Sequence, residues 1–177
     1  WAVVNPEAAE RLTKAEVVEK PKTLDEKIAF RERHLTAYQG KRLAKRYRRM
    51  LEGIDDPRLK EAVAKGYHKL LAYKDEFEVA RLHLETERKA REEFDGDFRM
   101  KFHLAPPLLP GKDAAGRPKK REFGPWMAKV YPLLARMKVL RNTPLNPFGY
   151  SADRRMERAL IRQYEADMAE FLPQARP

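Results

Sequence analysis

The chain has 177 residues, of which 42% are hydrophobic, and it carries a formal net charge of +11 at pH 7. That length suffices for one ordinary domain with a hydrophobic core. The absence of cysteine excludes disulfides, thiolate zinc sites and cysteine-ligated iron–sulfur clusters within these residues. No apolar run approaches the roughly 18 residues that a membrane span needs, and we expect a cytoplasmic protein.

The opening segment, WAVVNPEAAERL, has neither an initiator methionine nor the pattern of a signal peptide. We therefore expect residues 1–22 to be a linker from a preceding catalytic domain. Residues 23–177 are expected to form one helical domain at the C-terminal side of that linker.

A capping box, formed by Thr23 and Glu26, predicts the start of the first helix. The apolar residues up to Tyr38 share one side of this helix. Beyond Gly40 the apolar side is rotated by roughly 100°. The sequence leaves two alternatives, a break near Gly40 or one long helix whose halves pack against different neighbours.

Pro57 predicts the first turn of the next helix. An apolar stripe runs from there to about Leu84, and a short helix is expected from Glu87 to Phe94. The residues that mark the stripe are Leu59, Val63, Tyr67, Leu70 and Phe77.

Residues 98–104, FRMKFHL, alternate apolar and polar side chains, which is typical of a strand. A segment rich in proline and glycine follows, and we expect a small β-hairpin around residues 98–123. Helical spacing resumes at Gly124 with a kink at Pro132, and Ser151 caps a last helix. The elements predict a mainly α domain of about four to six helices.

The segment KRLAKRYRR places its cations on one arc of a helix, about 160° wide, opposite the apolar side. They are Lys41, Arg42, Lys45, Arg46, Arg48 and Arg49. Such an arc could follow nucleic-acid phosphates, attract an acidic protein or simply be solvated. Because no aromatic residue is interleaved on the arc, we favour an acidic partner over nucleic acid. That patch comprises Lys41, Arg42, Lys45, Arg46 and Arg49.

Charged residues interrupt the apolar stripe near its C-terminal end. Lys74, Glu78 and Arg81 have the spacing of helical neighbours, and buried ions must be paired. We expect buried ion pairs among these three residues. The alternative is an acid–base pair of Lys74 and Glu78 in a cleft, which would make the chain an enzyme in its own right.

Recognised catalytic motifs are absent from the sequence. The four histidines have no metal-ligand spacing, and there is no Walker loop, dinucleotide fingerprint or serine-nucleophile motif. We assign no catalytic, cofactor-binding or metal-ligating residue to this chain.

Four blocks give the sequence a specific resemblance. YHKLLAYKDEFEVARL, FHLAPPLL, GRPKKREFGPWM and NPFGYSADRRMERALIRQYE closely resemble the C-terminal region of fused indolepyruvate ferredoxin oxidoreductases, from about Thr23 to Phe171. The resemblance implies a homodimeric bacterial enzyme that oxidatively decarboxylates an aryl or related 2-oxoacid to an acyl-coenzyme A. It also implies thiamine diphosphate, Mg²⁺ and [4Fe–4S] clusters in other domains, with ferredoxin as acceptor and no catalytic residue in this chain.

Within that family, the proline-bounded segment before Trp126 is interpreted as a docking element. Its cations, Lys119, Lys120 and Arg121, could face an acidic surface of the same polypeptide, a coenzyme A phosphate or an acidic ferredoxin. Rigid apolar anchors of the kind interfaces favour are provided by Phe123, Trp126, Phe148 and Tyr150. The competing interpretation of the whole chain is a free-standing basic helical protein that binds nucleic acid.

Overall fold

The computed structural model describes residues 21–93, 101–104, 111, 116 and 119–175. These residues are mainly helical with one small two-stranded antiparallel sheet, which confirms the predicted fold class. The elements are α1 (Leu24–Tyr38), α2 (Lys41–Leu51), α3 (Pro57–Leu71), α4 (Glu76–Glu93), β1 (Phe102–Leu104), β2 (Arg121–Phe123), α5 (Met127–Arg136), a 3₁₀ helix (Met137–Leu140) and α6 (Ala152–Gln174).

Residues 23–177, which the sequence predicts to form one domain, are divided between two compact units. The four-helix unit contains α1, α2, α3, α6 and the segment from Lys138 to the start of α6. The hairpin unit contains α4, the two strands and α5. The predicted linker, residues 1–22, lies almost wholly outside the described residues.

The break near Gly40 is the alternative that the structure adopts. Thr23 caps α1 by accepting a hydrogen bond from the Glu26 amide at 3.2 Å, and the Glu26 carboxylate accepts from the Thr23 amide at 3.1 Å. α1 ends at Tyr38, and Gly40 has φ +125° immediately before α2 begins. Only glycine adopts such a backbone conformation at little cost, so Gly40 fixes the turn between the two helices.

The apolar stripe predicted to continue to about Leu84 is divided between two helices. α3 ends at Leu71 and α4 begins at Glu76, so the prediction of one helix is wrong. The turn between them places Asp75 in a buried position, 2% exposed, where its carboxylate is paired. α4 then runs unbroken to Glu93, and the short helix predicted from residue 87 is its C-terminal part.

The core of the four-helix unit is formed by one apolar side from each helix. Its buried residues are Ile28, Leu35, Tyr38, Leu43, Ala44, Tyr47, Leu51, Ile54, Val63, Ala64, Tyr67, Leu71 and Ile161. α1 packs on α2 and α3, while α6 packs on α3. Each large buried apolar side chain contributes about 1.5–3 kcal/mol relative to exposure, so these contacts hold α2 firmly with its other side in solvent.

The hairpin unit has its own small core. α4 packs against α5, and Ala80, Phe102, Met127 and Tyr131 are buried between these elements and the strands. Phe102 pairs with Phe123 in the sheet, so the C-terminal half of the predicted strand is present in β1. Residues 98–100 of that prediction lie outside the described residues. Pro132 lies within α5, and the helical spacing beyond Arg136 continues as the 3₁₀ helix.

None of the helices in the described part of the chain combines the length and the apolar character of a membrane span.

Candidate functional site

The basic arc of α2 is exposed as predicted, but two of its cations are engaged within the protein. Arg46 donates two hydrogen bonds to the Glu165 carboxylate, both 2.7 Å. Arg48 does the same to Glu32, with both distances again 2.7 Å. These hydrogen-bonded carboxylates raise the pKa of both guanidinium groups. The two arginines therefore tie α2 to α6 and α1 and contribute little to the net field of the arc.

The other four cations form what we call the α2 stripe: Lys41, Arg42, Lys45 and Arg49. All four are exposed, and no carboxylate in the described part of the chain lies within ion-pair distance of them. Lys41, Lys45 and Arg49 follow one another at steps of four residues, which spans about 12 Å along the helix. They line a shallow groove of about 460 Å³ between α1 and α2.

Tyr67 joins the Glu165–Arg46 pair by donating its hydroxyl hydrogen bond to the same carboxylate. Burial and this bond raise the pKa of Tyr67. Although burial acts in the opposite direction, the hydrogen bonds from Arg46 and Tyr67 lower the pKa of Glu165. The three side chains thus connect α2, α3 and α6 as a protonated phenol, a carboxylate and a guanidinium, a stable arrangement rather than a poised acid–base pair.

A pair of histidines lies beside this network, where α1 meets α3. His34 Nδ1 and His68 Nε2 are 3.1 Å apart, which requires one ring to donate and the other to accept. Burial, followed by the charges of His34 and Arg31, lowers the pKa of His68 to about 4. His68 is therefore neutral at pH 7. Within the described residues, no group of three or more His, Asp and Glu side chains is arranged to hold a metal ion.

The ion pairs predicted around α4 are only partly formed. Arg81 donates to both carboxylate oxygens of Glu78, at 2.7 and 2.9 Å, and Glu78 is buried. Lys74 is exposed in the turn before α4 and takes no part in that pair. The acid–base alternative of Lys74 with Glu78 stays a prediction.

Sequence reasoning missed a deeply buried ion pair, between Asp75 and Arg141. Both side chains are almost inaccessible to solvent, at 3% and 1% exposure. The sequence showed Asp75 near an apolar stripe but offered no signal that Arg141 would reach it, because the two residues are far apart in the chain.

The predicted docking residues fall in both units. Lys119, Lys120 and Arg121 are exposed around the start of β2 in the hairpin unit. Trp126 is 56% exposed in the same unit and touches the half-buried Phe123 edge to face, with ring centroids 6.0 Å apart. The residues of this group therefore present both charge and an aromatic surface.

Phe148 and Tyr150 belong to the four-helix unit, in the loop before α6. Tyr150 is 64% exposed, whereas Phe148 is half-buried. Asn146 holds this loop together: its amide donates to the Arg141 carbonyl at 3.0 Å, and its side-chain oxygen accepts from the Phe148 amide at 3.0 Å. Arg158 donates to the Gly149 carbonyl at 2.8 Å. The Tyr150 hydroxyl donates a hydrogen bond to the Pro144 carbonyl of the same loop, so the loop is internally bonded and fixes the exposed Tyr150 side chain.

Tyr131 lies in the core of the hairpin unit, and its surroundings do not favour a role in proton transfer. Its ring stacks on His83 with centroids 4.9 Å apart, and its hydroxyl has no hydrogen-bond partner in the described part of the chain. Burial raises its pKa to about 12, so it stays protonated at neutral pH.

These features define a basic helical module with exposed aromatic and cationic surfaces. Residues 24–177 match the family of unknown function DUF6537, and the chain belongs to that family. A search of curated proteins and a search of solved structures each found no match.

Proposed function

We propose that this chain is a non-catalytic accessory domain of a thiamine-dependent 2-oxoacid:ferredoxin oxidoreductase of the indolepyruvate type, and that it docks on the catalytic domains of the same polypeptide. The four sequence blocks that resemble that family support the proposal. With no cysteine in the chain, its residues do not fit thiolate ligation of [4Fe–4S] clusters. On this proposal the clusters are held by other domains of the enzyme, and the resemblance implies the same for thiamine diphosphate and Mg²⁺.

The observation that carries the docking role is the exposure of large aromatic residues within those blocks. Trp126 and Tyr150 are 56% and 64% exposed. Exposed aromatic residues on a rigid frame are typical of interface hot spots, because they bury a large area and lose little side-chain entropy on binding. Tyr150 is held in this way by the hydrogen bonds of its loop.

Substitution in the full-length enzyme tests the docking role. Trp126→Ala and Tyr150→Ala should each lower 2-oxoacid-dependent ferredoxin reduction, in the presence of coenzyme A, by about thirtyfold, since a lost hot spot costs about 2 kcal/mol. Phe30→Ala is the matched control, because Phe30 is 47% exposed and lies outside the four blocks. The docking role would be refuted if all three variants reduced ferredoxin at the same rate.

A separate assay addresses the reaction itself. The full-length protein, supplied with thiamine diphosphate, Mg²⁺, coenzyme A and ferredoxin, should oxidise indolepyruvate or phenylpyruvate. Failure to oxidise any aryl or alkyl 2-oxoacid would contradict the enzymatic part of the proposal, whatever the domain variants do.

A further inference from the structure

The α2 stripe has an arrangement that is unfavourable for the helix that carries it. α2 contains no acidic residue in its 11 positions, so its cations are not compensated within the helix. Lys41 and Arg42 lie in its first turn, where the positive end of the helix dipole disfavours cations. Lys41 and Lys45, like Lys45 and Arg49, repel each other across one turn.

The contrast with α4 shows that this is not the general pattern of surface helices here. On α4, Arg81, Arg88 and Arg91 each pair with a glutamate three or four positions away on the same helix. Such pairs are what a solvated helical surface gains from mixed charge. The α2 stripe has no such pairs on its own helix. The helix is held in place instead by its buried apolar side and by the ion pairs of Arg46 and Arg48.

We propose that the α2 stripe is a docking site for the acidic surface of another protein. This inference is independent of the proposed function, because it rests on the charges of α2 and on the lining of the groove beside it. Charge complementarity selects the partner: cations spaced one helical turn apart match carboxylates at the same spacing on an acidic helix. Thr36 and Ala44 also line the groove, so we expect a shallow and mainly electrostatic contact.

The lining of the groove favours a protein over a single-stranded nucleic acid. It includes no aromatic side chain, while its two carboxylates, Glu32 and Glu52, do not discriminate between an acidic protein and phosphates. Sequence-tolerant binding of single strands uses aromatic rings as stacking platforms, and the rings nearest to the stripe, such as Tyr47, are buried. A partner that presents spaced carboxylates needs no stacking platform.

The experiment compares two charge reversals in the full-length protein. The stripe variant is Lys41→Glu/Lys45→Glu/Arg49→Glu, and the control is Arg58→Glu/Lys65→Glu/Lys69→Glu on the exposed side of α3. Each replaces two lysines and one arginine, and each lowers the formal charge of this chain from +11 by 6, to +5. The probes are poly-L-glutamate and a DNA duplex of about two helical turns.

At low salt the stripe variant should bind poly-L-glutamate about tenfold more weakly than the control variant, and the difference should vanish at high salt. Equal weakening in both variants would mean that only net charge matters, and the proposal would fail. It would also fail if the wild-type protein bound the duplex more tightly than poly-L-glutamate and lost that binding in the stripe variant alone. If the charge reversals impair folding, as judged by circular dichroism, the same comparison is made with glutamine in place of glutamate at all six positions.

Discussion

Arg141 donates two hydrogen bonds to the carboxylate of Asp75, and both side chains are buried. Nε lies 2.5 Å from Oδ2 and Nη2 lies 2.9 Å from Oδ1. The third edge of the guanidinium donates to the Tyr38 carbonyl at 2.8 Å, and its centre lies 3.6 Å from the centroid of the Tyr38 ring. One side chain thus joins the end of α1, the turn after α3 and the segment after the 3₁₀ helix.

Replacing Asp75 by Asn should therefore be strongly destabilising. The change leaves a buried guanidinium without its counter-charge, which typically costs about 3–5 kcal/mol of unfolding free energy. Urea unfolding of the chain measures the loss. The control is Glu32→Gln, which removes the carboxylate partner of the exposed Arg48 and should cost about 1 kcal/mol or less. Similar losses of unfolding free energy in the two variants would show that the buried pair stabilises the fold no more than an exposed pair does.

Gly40→Ala should also destabilise the four-helix unit. At φ +125° and ψ 174°, a Cβ strains the backbone even though no atom lies within 4 Å of it, and we expect a loss of about 1–3 kcal/mol. Gly53→Asn is a suitable control, because φ +73° is a left-handed conformation that asparagine tolerates. Thermal unfolding should separate the variants, and a Gly40→Ala protein as stable as the wild type would contradict the argument.

Local signals in the sequence predicted several elements correctly. The capping box at Thr23, the apolar side of α2 and the serine cap of α6 each depend on residues within a turn or two, and the structure contains all three. Non-local pairing could not be read in the same way. Asp75 and Arg141 are 66 positions apart, and nothing in a single sequence indicates that one will meet the other.

The candidate site illustrates the same limit. Periodicity alone placed six cations on one exposed arc, but the bridges of Arg46 and Arg48 to carboxylates on α6 and α1 depend on tertiary packing. The α2 stripe is what remains once these bridges are known. His34 and His68, 34 positions apart, likewise meet only because α1 packs on α3.

The His34–His68 pair predicts a loss of stability in mild acid. Burial lowers the pKa of His68 to about 4, below the usual 6.5 of the unfolded chain, so the unfolded state binds the proton more readily. Stability due to His68 is complete above about pH 6.5 and is lost as pH falls toward 4, by about 1–2 kcal/mol after allowance for partial exposure. Urea unfolding between these pH values measures it.

Substitution identifies the residue responsible for that pH dependence. His68→Gln should flatten the acid limb of the stability profile. His103→Gln, at an exposed position in β1, should leave it unchanged. An acid limb that is equally steep in the wild type and in His68→Gln would contradict the assignment.

The proposed function can be tested further at the cations beside β2. If Lys119, Lys120 and Arg121 face a coenzyme A phosphate or an acidic ferredoxin, reversing all three to Glu should raise the KM for that ligand at low salt by about tenfold. The Arg58→Glu/Lys65→Glu/Lys69→Glu variant controls for net charge. Unchanged KM values for both ligands would leave the three residues as a solvated part of the turn.

Removing charge from the first turn of α2 should make the protein more stable. Lys41→Gln/Arg42→Gln relieves the unfavourable interaction with the helix dipole and the repulsion with Lys45, which together amount to about 0.3–1 kcal/mol. Lys69→Gln is the opposing control. Lys69 lies in the last turn of α3, where the dipole favours a cation, so that change should be neutral or slightly destabilising.

The stability changes of Lys41→Gln/Arg42→Gln and Lys69→Gln are measured by urea unfolding at low salt. Their signs test whether the charges of the α2 stripe are unfavourable for the fold, as the proposed binding of an acidic protein assumes. A gain in stability together with weaker binding to poly-L-glutamate is expected of residues retained for binding at the expense of folding. If Lys41→Gln/Arg42→Gln destabilised the chain instead, the stripe would be contributing to the fold, and its lack of acidic neighbours would no longer argue for a partner.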